Sequence, residues 1–296
     1  MTMRISFLGP KGTVSEESAR HFLGNHGLSF VPYKHFPEVF VAVDKGQTQY
    51  GVIPIENTIE GSVSMHLDWL LNETEMPIQA EWVYPSVQNL IGHADDFRDE
   101  HGAIDFSSIK RILSHPVAIA QCRQFMRSSF PNVEFEPVSS TAEGVRLVKQ
   151  QPGEGLVAIG TKLAAQTYGL EILSPMIHDH ENNFTRFILI GQDSFVSTRT
   201  DGIDKTSMMI TLPEDFPGAL HQVLSAFAWR RINLTRIESR PTKKKLGSYY
   251  FYLDVLLSMD SVLLPAAIQE IESLGGTVRV LGSYKSYPYL EGMSES

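Results

Sequence analysis

The chain has 296 residues, of which 42% are hydrophobic and 20% charged, a composition typical of a globular protein with room for two domains. Its net charge of −9 argues against a nucleic-acid partner, because phosphate backbones are bound through basic patches, and the one basic run, residues 243–245, indicates a solvated hairpin tip. A single cysteine, Cys122, excludes an intrachain disulfide and fits a reducing compartment.

The first two thirds of the chain alternate short apolar runs with amphipathic stretches. The apolar runs predict strands over residues 4–8, 50–55, 109–113, 133–135 and 156–159. The amphipathic stretches predict helices over residues 15–23, 39–43, 63–71, 117–126 and 142–149. Strands that alternate with helices favour α/β units with largely parallel sheets.

A polar stretch over residues 194–204 predicts a linker, and the pattern changes beyond it. Strands are expected over residues 206–212, 232–239, 248–257 and 277–281, with helices over 218–229 and 262–274. The order βαββαβ predicts a ferredoxin-like plait.

Polar residues are embedded in an apolar strand just before the linker. The run Asn182-Asn183-Phe184-Thr185-Arg186-Phe187 leads directly into three aliphatic residues. Successive side chains of a strand point to opposite faces, so Thr185 and Phe187 should share one face and Arg186 the other. Polar groups are costly to bury without partners, so the run indicates a site for a small polar molecule with an apolar ring.

This run resembles the signature of the prephenate dehydratase family, and further motifs in the family's order cover nearly the whole chain. The further motifs are Phe7-Leu8-Gly9-Pro10-Lys11-Gly12-Thr13, Gly51-Val52-Ile53-Pro54-Ile55-Glu56-Asn57, Ser114-His115-Pro116, Gln121-Cys122 and Ser140-Thr141-Ala142-Glu143. The plait, with Gly218-Ala219-Leu220 and Ile237-Glu238-Ser239-Arg240-Pro241, resembles the amino-acid-binding ACT domain.

The resemblance implies an α/β fold with a two-lobed, periplasmic-binding-protein-like (type II) catalytic domain over residues 1–193. Lobe 1 would comprise about 1–78 and 178–193, and lobe 2 about 79–177. A linker over 194–204, a ferredoxin-like βαββαβ ACT domain over 205–285 and a tail over 286–296 would follow. Ligands usually bind in the cleft between such lobes.

The family's reaction converts prephenate to phenylpyruvate, carbon dioxide and water, without a metal or an organic cofactor. Expulsion of hydroxide is easier when a hydrogen bond or proton arrives as the bond breaks, and Thr185 is the candidate catalytic donor. The alternative is a strand threonine selected for its branched side chain. Phe187 would either wall the ring pocket or belong to the core. Arg186 would bind a carboxylate, brace the strand or lie at a domain contact.

The substrate's carboxylates need hydrogen-bond donors, which helix N-termini supply. Four residues at predicted helix starts are candidates, although each also fits simple helix capping: Thr13, Ser62, Ser140 and Thr141. The resemblance implies that Asn57 and Gln121 contact the substrate. Ser114 and Asn183 are also predicted to be substrate-binding residues. Glu56 is either a second acid near the site or an ion-pair partner.

Two histidine motifs leave alternatives open. His115 either titrates near neutrality or satisfies its loop, and Val117 stands where the family pattern has glutamine, which puts contacts in this turn in doubt. His178 and His180 are a weak indication of metal binding, and a polar loop before the catalytic strand is the better interpretation.

Phenylalanine is the ligand that the ACT resemblance implies. Seven residues are candidates for its site: Gly218, Ala219, Leu220, Asn233, Glu238, Ser239 and Arg240. Small residues at a helix start let a carboxylate approach the backbone N–H groups. A site shared between subunits implies a homodimer or homotetramer, and the alternative is a plait that serves only in dimerisation.

The leading hypothesis is a monofunctional, phenylalanine-regulated prephenate dehydratase. An arogenate dehydratase or dual-substrate enzyme is the near alternative, and a non-catalytic small-molecule sensor the remote one. No apolar run approaches the roughly 20 residues of a membrane helix, and the N-terminal apolar run is too short for a signal-peptide core. We therefore expect a cytoplasmic protein without a membrane partner.

Overall fold

The computed structural model describes residues 2–212, 216–242 and 249–290, so the predicted tip at 243–245 and the end of the predicted tail lie outside the described residues. The described residues form two sheets, one of ten strands and one of five. Among them, no helix combines the length and apolar character needed to cross a bilayer.

The first lobe has a core of parallel strands joined by helices. Its elements are β1 (Met3–Leu8), α1 (Val14–Leu23), β2 (Leu28–Tyr33), α2 (Phe36–Asp44), β3 (Tyr50–Asn57), β4 (Gly61–Ser62), α3 (Ser64–Asn72), β5 (Ile78–Pro85) and, after the second lobe, β11 (Phe184–Ile190). The strand order is β5-β11-β3-β1-β2, with β11 antiparallel to both of its neighbours.

The second lobe is built around the five-stranded sheet. Its elements are β6 (Asn89–Gly92), β7 (Arg111–Ser114), α4 (Pro116–Gln121), α5 (Arg123–Ser129), β8 (Glu134–Pro137), α6 (Thr141–Lys149), β9 (Leu156–Gly160), α7 (Lys162–Tyr168) and β10 (Glu171–Ser174). The chain thus crosses to a second lobe and returns on β11, as predicted for a periplasmic-binding-protein-like (type II) fold.

The C-terminal domain is the predicted βαββαβ plait. Its elements are β12 (Ile203–Thr211), α8 (Ala219–Ala228), β13 (Leu234–Pro241), β14 (Tyr249–Val255), α9 (Leu263–Ser273) and β15 (Thr277–Tyr287). One face of its sheet packs on the two helices through residues such as Met208, Leu253 and Ile268. The opposite face, with Tyr252 and Tyr284, joins the core of the first lobe.

The plait continues the sheet of the first lobe. Strand β15 pairs in parallel with β5, with Lys285 opposite Ala80 and Tyr287 opposite Trp82. Ser286 and Tyr287 therefore belong to a strand, although the prediction placed a tail from residue 286. Strand β5 pairs with β11 in the large sheet, so the crossing to the second lobe follows Pro85 and does not occur at residue 79 as predicted.

The helix predicted over residues 117–126 is two helices. Cys122 lies between α4 and α5 with φ −115° and ψ 23°, outside helical geometry. Its buried thiol packs with the apolar residues of the second lobe.

The two lobes approach each other closely beside the loop that follows β1. Gly12 adopts φ +87°, and a Cβ at this position would lie 2.8 Å from the Cα of Ala164 in the second lobe. The Thr161 hydroxyl also donates a hydrogen bond to the Gly12 carbonyl oxygen, at 2.8 Å. A glycine at residue 12 therefore sets how closely the lobes meet.

Candidate active site

A cavity of about 1180 Å³ lies between the lobes, and residues of both lobes line it. The first lobe contributes Thr13, Lys34, Asn57, His66 and Thr185, among others. Ser86 lines it at the crossing between lobes, and the second lobe contributes Gln88, His115, Val117, Gln121, Ser140 and Thr141. A smaller cavity of about 600 Å³ lies beyond α4, and none of the predicted site residues lines it.

Thr185 lies at the cleft end of β11, between β3 and β5. The register sets it opposite Asn57 on one side and Tyr84 on the other. Only 6% of the residue is exposed. Its Oγ1 accepts a hydrogen bond from Asn57 Nδ2 at 2.9 Å and lies 2.8 Å from Ser86 Oγ. The hydroxyl is therefore held at the cavity wall by side chains from both neighbouring segments.

A chain of side-chain amides connects Thr185 to the second lobe. Asn57 Oδ1 accepts from the backbone N–H groups of Ile59 and Glu60, which directs its Nδ2 to Thr185 and to Asn183 Oδ1. Asn183 Nδ2 in turn donates to Gln121 Oε1 at 2.9 Å. Asn183 is buried behind the wall, and Gln121 lines the cavity. The backbone of one loop thus fixes the orientation of the whole chain of amides.

Two helices, one from each lobe, begin at the cavity. Thr13 directly precedes α1, and its hydroxyl donates to the Leu8 carbonyl oxygen at 3.0 Å. Ser140 caps α6 by accepting from the backbone N–H of Glu143 at 3.0 Å, so the capping alternative holds while Ser140 and Thr141 still line the cavity. Helix N-termini carry partial positive charge, so this cavity favours an anionic ligand.

Besides Asn183, three residues predicted to face the substrate do not line the cavity. Ser114 is fully buried beneath the wall, where its hydroxyl donates to the Ile159 carbonyl oxygen. Phe187 shares the face of Thr185, as predicted, but belongs to the core, with its ring stacked 5.9 Å from that of Trp82. Ser62 contacts the C-terminal domain, where its hydroxyl donates to Glu238. Along β11 the cavity is lined by Thr185 and does not reach Phe187.

Arg186 points away from the cavity into a buried group of charges. Its guanidinium lies 3.0 Å from Glu56, 3.1 Å from Glu81 and 2.6 Å from Asp254 of β14. Burial alone would raise the pKa of Asp254, but Arg186 and Lys205 hold that pKa below its usual value. Asp254 is therefore charged, and the interpretations of Arg186 as a residue at a domain contact and of Glu56 as an ion-pair partner fit this geometry.

His35, His66 and His115 line the cavity, and hydrogen bonds orient the rings of the last two. His115 Nδ1 accepts from the backbone N–H of Val117 at 3.3 Å, and burial lowers the pKa of this histidine. His66 Nδ1 lies 2.7 Å from the Pro54 carbonyl oxygen and must donate to it. Burial lowers the pKa of His66, although the Pro54 contact opposes the shift. Both rings are therefore neutral near pH 7.

His66, Ser86 and Lys34 were not among the residues predicted from the sequence. Ser86 follows β5, which the apolar pattern did not predict, and His66 stands among apolar residues of α3.

The loop that carries His178 and His180 has a structural contact through the residue between them. Asp179 accepts a hydrogen bond from the backbone N–H of Gln124 at 3.0 Å. Within the described ranges, no group of three metal-binding side chains surrounds the two histidines.

The residues predicted to bind phenylalanine divide into three groups. Gly218, with φ +94°, precedes α8, and Ala219 and Leu220 form its first turn. Asn233 and Ser239 are exposed. Glu238 and Arg240 face the first lobe, where Glu238 accepts from Ser62 at 2.5 Å and Arg240 lies 2.7 Å from Asp68. Glu238 and Arg240 therefore join the C-terminal domain to α3 and to the segment before it.

Comparison with known proteins assigns both parts of the chain. Residues 5–195 match the model of the prephenate dehydratase family, and residues 206–276 match that of the ACT domain. A prephenate dehydratase of Bacillus subtilis is 38% identical over 290 residues, which is 96% of this chain and 99% of the relative. One from Methanocaldococcus jannaschii is 38% identical over 288 residues, covering 96% of this chain and 98% of the relative.

Solved structures share the whole fold. The prephenate dehydratase of Arthrobacter aurescens in complex with L-Phe superimposes with a TM-score of 0.83 at 33% identity, over 95% of this chain and 89% of that one. A protein described as GqqA, a novel type of quorum quenching acylase, superimposes with a TM-score of 0.80 at 25% identity, over 96% and 98% of the two chains. The chain belongs to the prephenate dehydratase family and carries a C-terminal ACT domain.

Proposed function

We propose that this protein catalyses the decarboxylative dehydration of prephenate to phenylpyruvate and that phenylalanine regulates it through the ACT domain. One observation carries the proposal: the Thr185 hydroxyl stands at the wall of the cleft between lobes, held by Asn57 from a second family motif. A protein described as an acylase has a similar fold, and a fold alone does not determine a reaction. The assignment of the reaction therefore depends on this local geometry.

The reaction needs a donor at the leaving hydroxyl. The ring carboxylate leaves as carbon dioxide, and its bonding pair enters the ring as the carbon–oxygen pair departs with hydroxide. Hydroxide becomes water by taking a proton, and Thr185 directs its O–H at this atom. The ring becomes aromatic, so the site must lower the barrier and need not supply the driving force.

Prephenate is a dianion, and the charges around the cavity suit it. The N-termini of α1 and α6 open from opposite lobes, and Lys34 lines the same cavity. We assign the substrate contacts to Thr13, Gln121, Ser140 and Thr141. Asn57 and Asn183 act through Thr185 and Gln121, to which they are hydrogen-bonded.

Regulation would act where the ACT domain meets the first lobe. A ligand inhibits only by binding one state of the enzyme better than another. Phenylalanine would bind at the start of α8 near Gly218 in a homodimer or homotetramer, and Glu238 and Arg240 would transmit the change through Ser62 and Asp68. We also place the enzyme in the cytoplasm, which its single thiol, Cys122, supports.

The experiment compares substrates and two variants of one residue. Purified full-length protein is assayed for product release from prephenate and, in parallel, from arogenate, with and without phenylalanine. Thr185→Val keeps the shape but removes the hydroxyl, whereas Thr185→Ser keeps the hydroxyl. We expect Thr185→Val to lower kcat on the order of a hundredfold or more with little change in KM, and Thr185→Ser to retain most of the activity.

Three other outcomes would change or overturn the proposal. Turnover of arogenate alone would make the protein an arogenate dehydratase. A folded protein that binds phenylalanine and turns over neither substrate would overturn the proposal in favour of a sensor. Full activity of Thr185→Val would refute the role of the hydroxyl.

A further inference from the structure

Ser86 stands beside the candidate catalytic hydroxyl, and no family motif named above includes it. Its Oγ lies 2.8 Å from Thr185 Oγ1, it lines the cavity, and only 7% of the residue is exposed. We propose that Ser86 is a positioning residue that donates its proton to Thr185 and thereby leaves the Thr185 proton free for the substrate. The inference rests on the proposed dehydratase function.

The directions of the hydrogen bonds follow from counting donors and acceptors. An amide nitrogen only donates, and two backbone N–H groups hold Asn57 Oδ1, so Asn57 Nδ2 is the group that donates to Thr185 Oγ1. Thr185 has one proton. If that proton pointed to Ser86, none would remain for the leaving hydroxyl.

The opposite direction satisfies every group. The Ser86 hydroxyl has no other hydrogen-bond partner within the part of the chain that the structure describes. With Ser86 donating, Thr185 Oγ1 accepts two hydrogen bonds, from Asn57 and Ser86, and its own proton is directed into the cavity. Hydrogen bonds accepted by an oxygen polarise its O–H, so Thr185 becomes a stronger donor.

The same arrangement serves the proton transfer. As the carbon–oxygen bond breaks, the electron pair leaves with hydroxide, which takes the Thr185 proton and departs as water. The negative charge that develops on Thr185 Oγ1 is then stabilised by two donors already in place, and a proton from solvent water restores the hydroxyl. Such stabilisation acts on the transition state and not on substrate binding.

The backbone holds Ser86 in register with the catalytic strand. The Ser86 N–H donates to the Asn183 carbonyl oxygen at 2.7 Å, and Asn183 Nδ2 donates to the Ser86 carbonyl oxygen at 3.3 Å. Ser86 is thus tied to the residue two positions before Thr185. Its side chain reaches Thr185 at the point where the chain enters the second lobe.

Three variants of Ser86 separate the hydroxyl from the shape of the side chain. Ser86→Ala removes the hydroxyl, whereas Ser86→Thr retains it, and Ser86→Val matches threonine in shape without it. We expect Ser86→Ala and Ser86→Val to lower kcat for prephenate about tenfold with unchanged KM and melting temperature, and Ser86→Thr to recover most of that loss. Added to Thr185→Val, Ser86→Ala should cause no further loss, because the two residues act as a unit.

The controls keep this inference distinct from the proposed function. Normal kcat in Ser86→Ala, or an equal loss on the Thr185→Val background, would overturn the positioning role while the wild type stays active. Equal losses in Ser86→Thr and Ser86→Val would show that shape and not the hydroxyl matters, which also overturns it. A folded wild type that fails to turn over prephenate would overturn the proposed function, and this inference with it.

Discussion

Thr185 and Arg186 are neighbours in β11 whose side chains leave the strand on opposite faces. Thr185 Oγ1 meets Asn57 and Ser86 at the cavity, and Arg186 Nη1 lies 2.6 Å from Asp254 of the ACT domain. A single peptide unit therefore separates the candidate catalytic hydroxyl from the charge that the regulatory domain contributes. We therefore expect any shift of the ACT domain that moves Asp254 to act directly on this strand.

Asp254→Asn tests the strength of that link. The substitution removes the carboxylate nearest to Arg186 and leaves the buried guanidinium with only Glu56 and Glu81 around it. Loss of a partner from a buried ionic group is costly, so we expect a loss of about 3 kcal/mol in the free energy of unfolding, measured in urea, and a weaker response to phenylalanine. Asp204→Asn is the control, because the Asp204–Lys285 pair spans 2.7 Å with both side chains 51% exposed. It should cost less than about 1 kcal/mol. Equal losses in the two variants would contradict the prediction.

Ser62→Ala tests whether Ser62 belongs to the contact with the ACT domain, as the structure indicates, or to the substrate site, as the sequence predicted. Since the Ser62 hydroxyl donates to Glu238 and accepts from Arg236, its removal should leave the KM for prephenate unchanged. The phenylalanine concentration for half-maximal effect should shift by a few-fold or more, within the usual range of coupling energies. Ser140→Ala supplies the contrast, because Ser140 lines the cavity and its loss should raise KM. A raised KM in Ser62→Ala would restore the original assignment.

Asn57→Asp tests the amide that donates to Thr185. The new carboxylate still accepts from Ile59 and Glu60, but its second oxygen replaces the donor that faces Thr185 Oγ1. Thr185 would then turn its proton toward this oxygen, and we expect kcat to fall on the order of a hundredfold. Asn25→Asp, at an exposed asparagine that contacts Arg20, should have no effect. Near-normal kcat in a stably folded Asn57→Asp protein would argue against the amide's role.

His66 predicts a pH dependence of stability. Its folded-state pKa is lowered by burial from the usual 6.5, so the unfolded state takes up a proton first as the pH falls. The stability that neutral His66 contributes is present above about pH 6.5 and is lost as the pH falls through the folded-state pKa. The urea midpoint should therefore drop less between about pH 7.5 and pH 5.5 in His66→Gln than in the wild type. His101→Gln, at an exposed position, should leave the drop unchanged, and identical behaviour of all three proteins would refute the prediction.

The periodic patterns of the sequence correctly predicted those features that depend on residues close together in the chain. The alternation of β11 correctly placed Arg186 opposite Thr185, because a strand's period of two is a property of the backbone alone. The βαββαβ order of the ACT domain followed from similar periodicities. The same rule put Phe187 on the face of Thr185 but did not show that its ring stacks on Trp82 of β5 in the core and does not line the cavity.

Contacts between distant segments were beyond a single sequence. Ser62 ends β4 two positions before α3, close to the helix start that the sequence predicts, yet its partner Glu238 lies 176 positions away. Ser86 is 99 positions from Thr185, and nothing in its own neighbourhood marks it. The family motifs located Asn57, Gln121 and Thr185, whereas the pairing of β5, β11 and β15 decides which other side chains reach them.

The parallel pairing of β15 with β5 means that the boundary near residue 205 is not a line along which the folded protein divides. Glu81 of β5 has its oxygens held by Lys205, Tyr284 and Ser286, all from beyond that boundary. In a fragment that ends at the linker, β5 would become an unpaired edge strand and the Glu81 carboxylate would lose these three hydrogen-bond partners. The catalytic domain alone would therefore lack a strand neighbour and charge partners on this side. The ACT domain is thus a structural part of the fold as well as a regulatory domain.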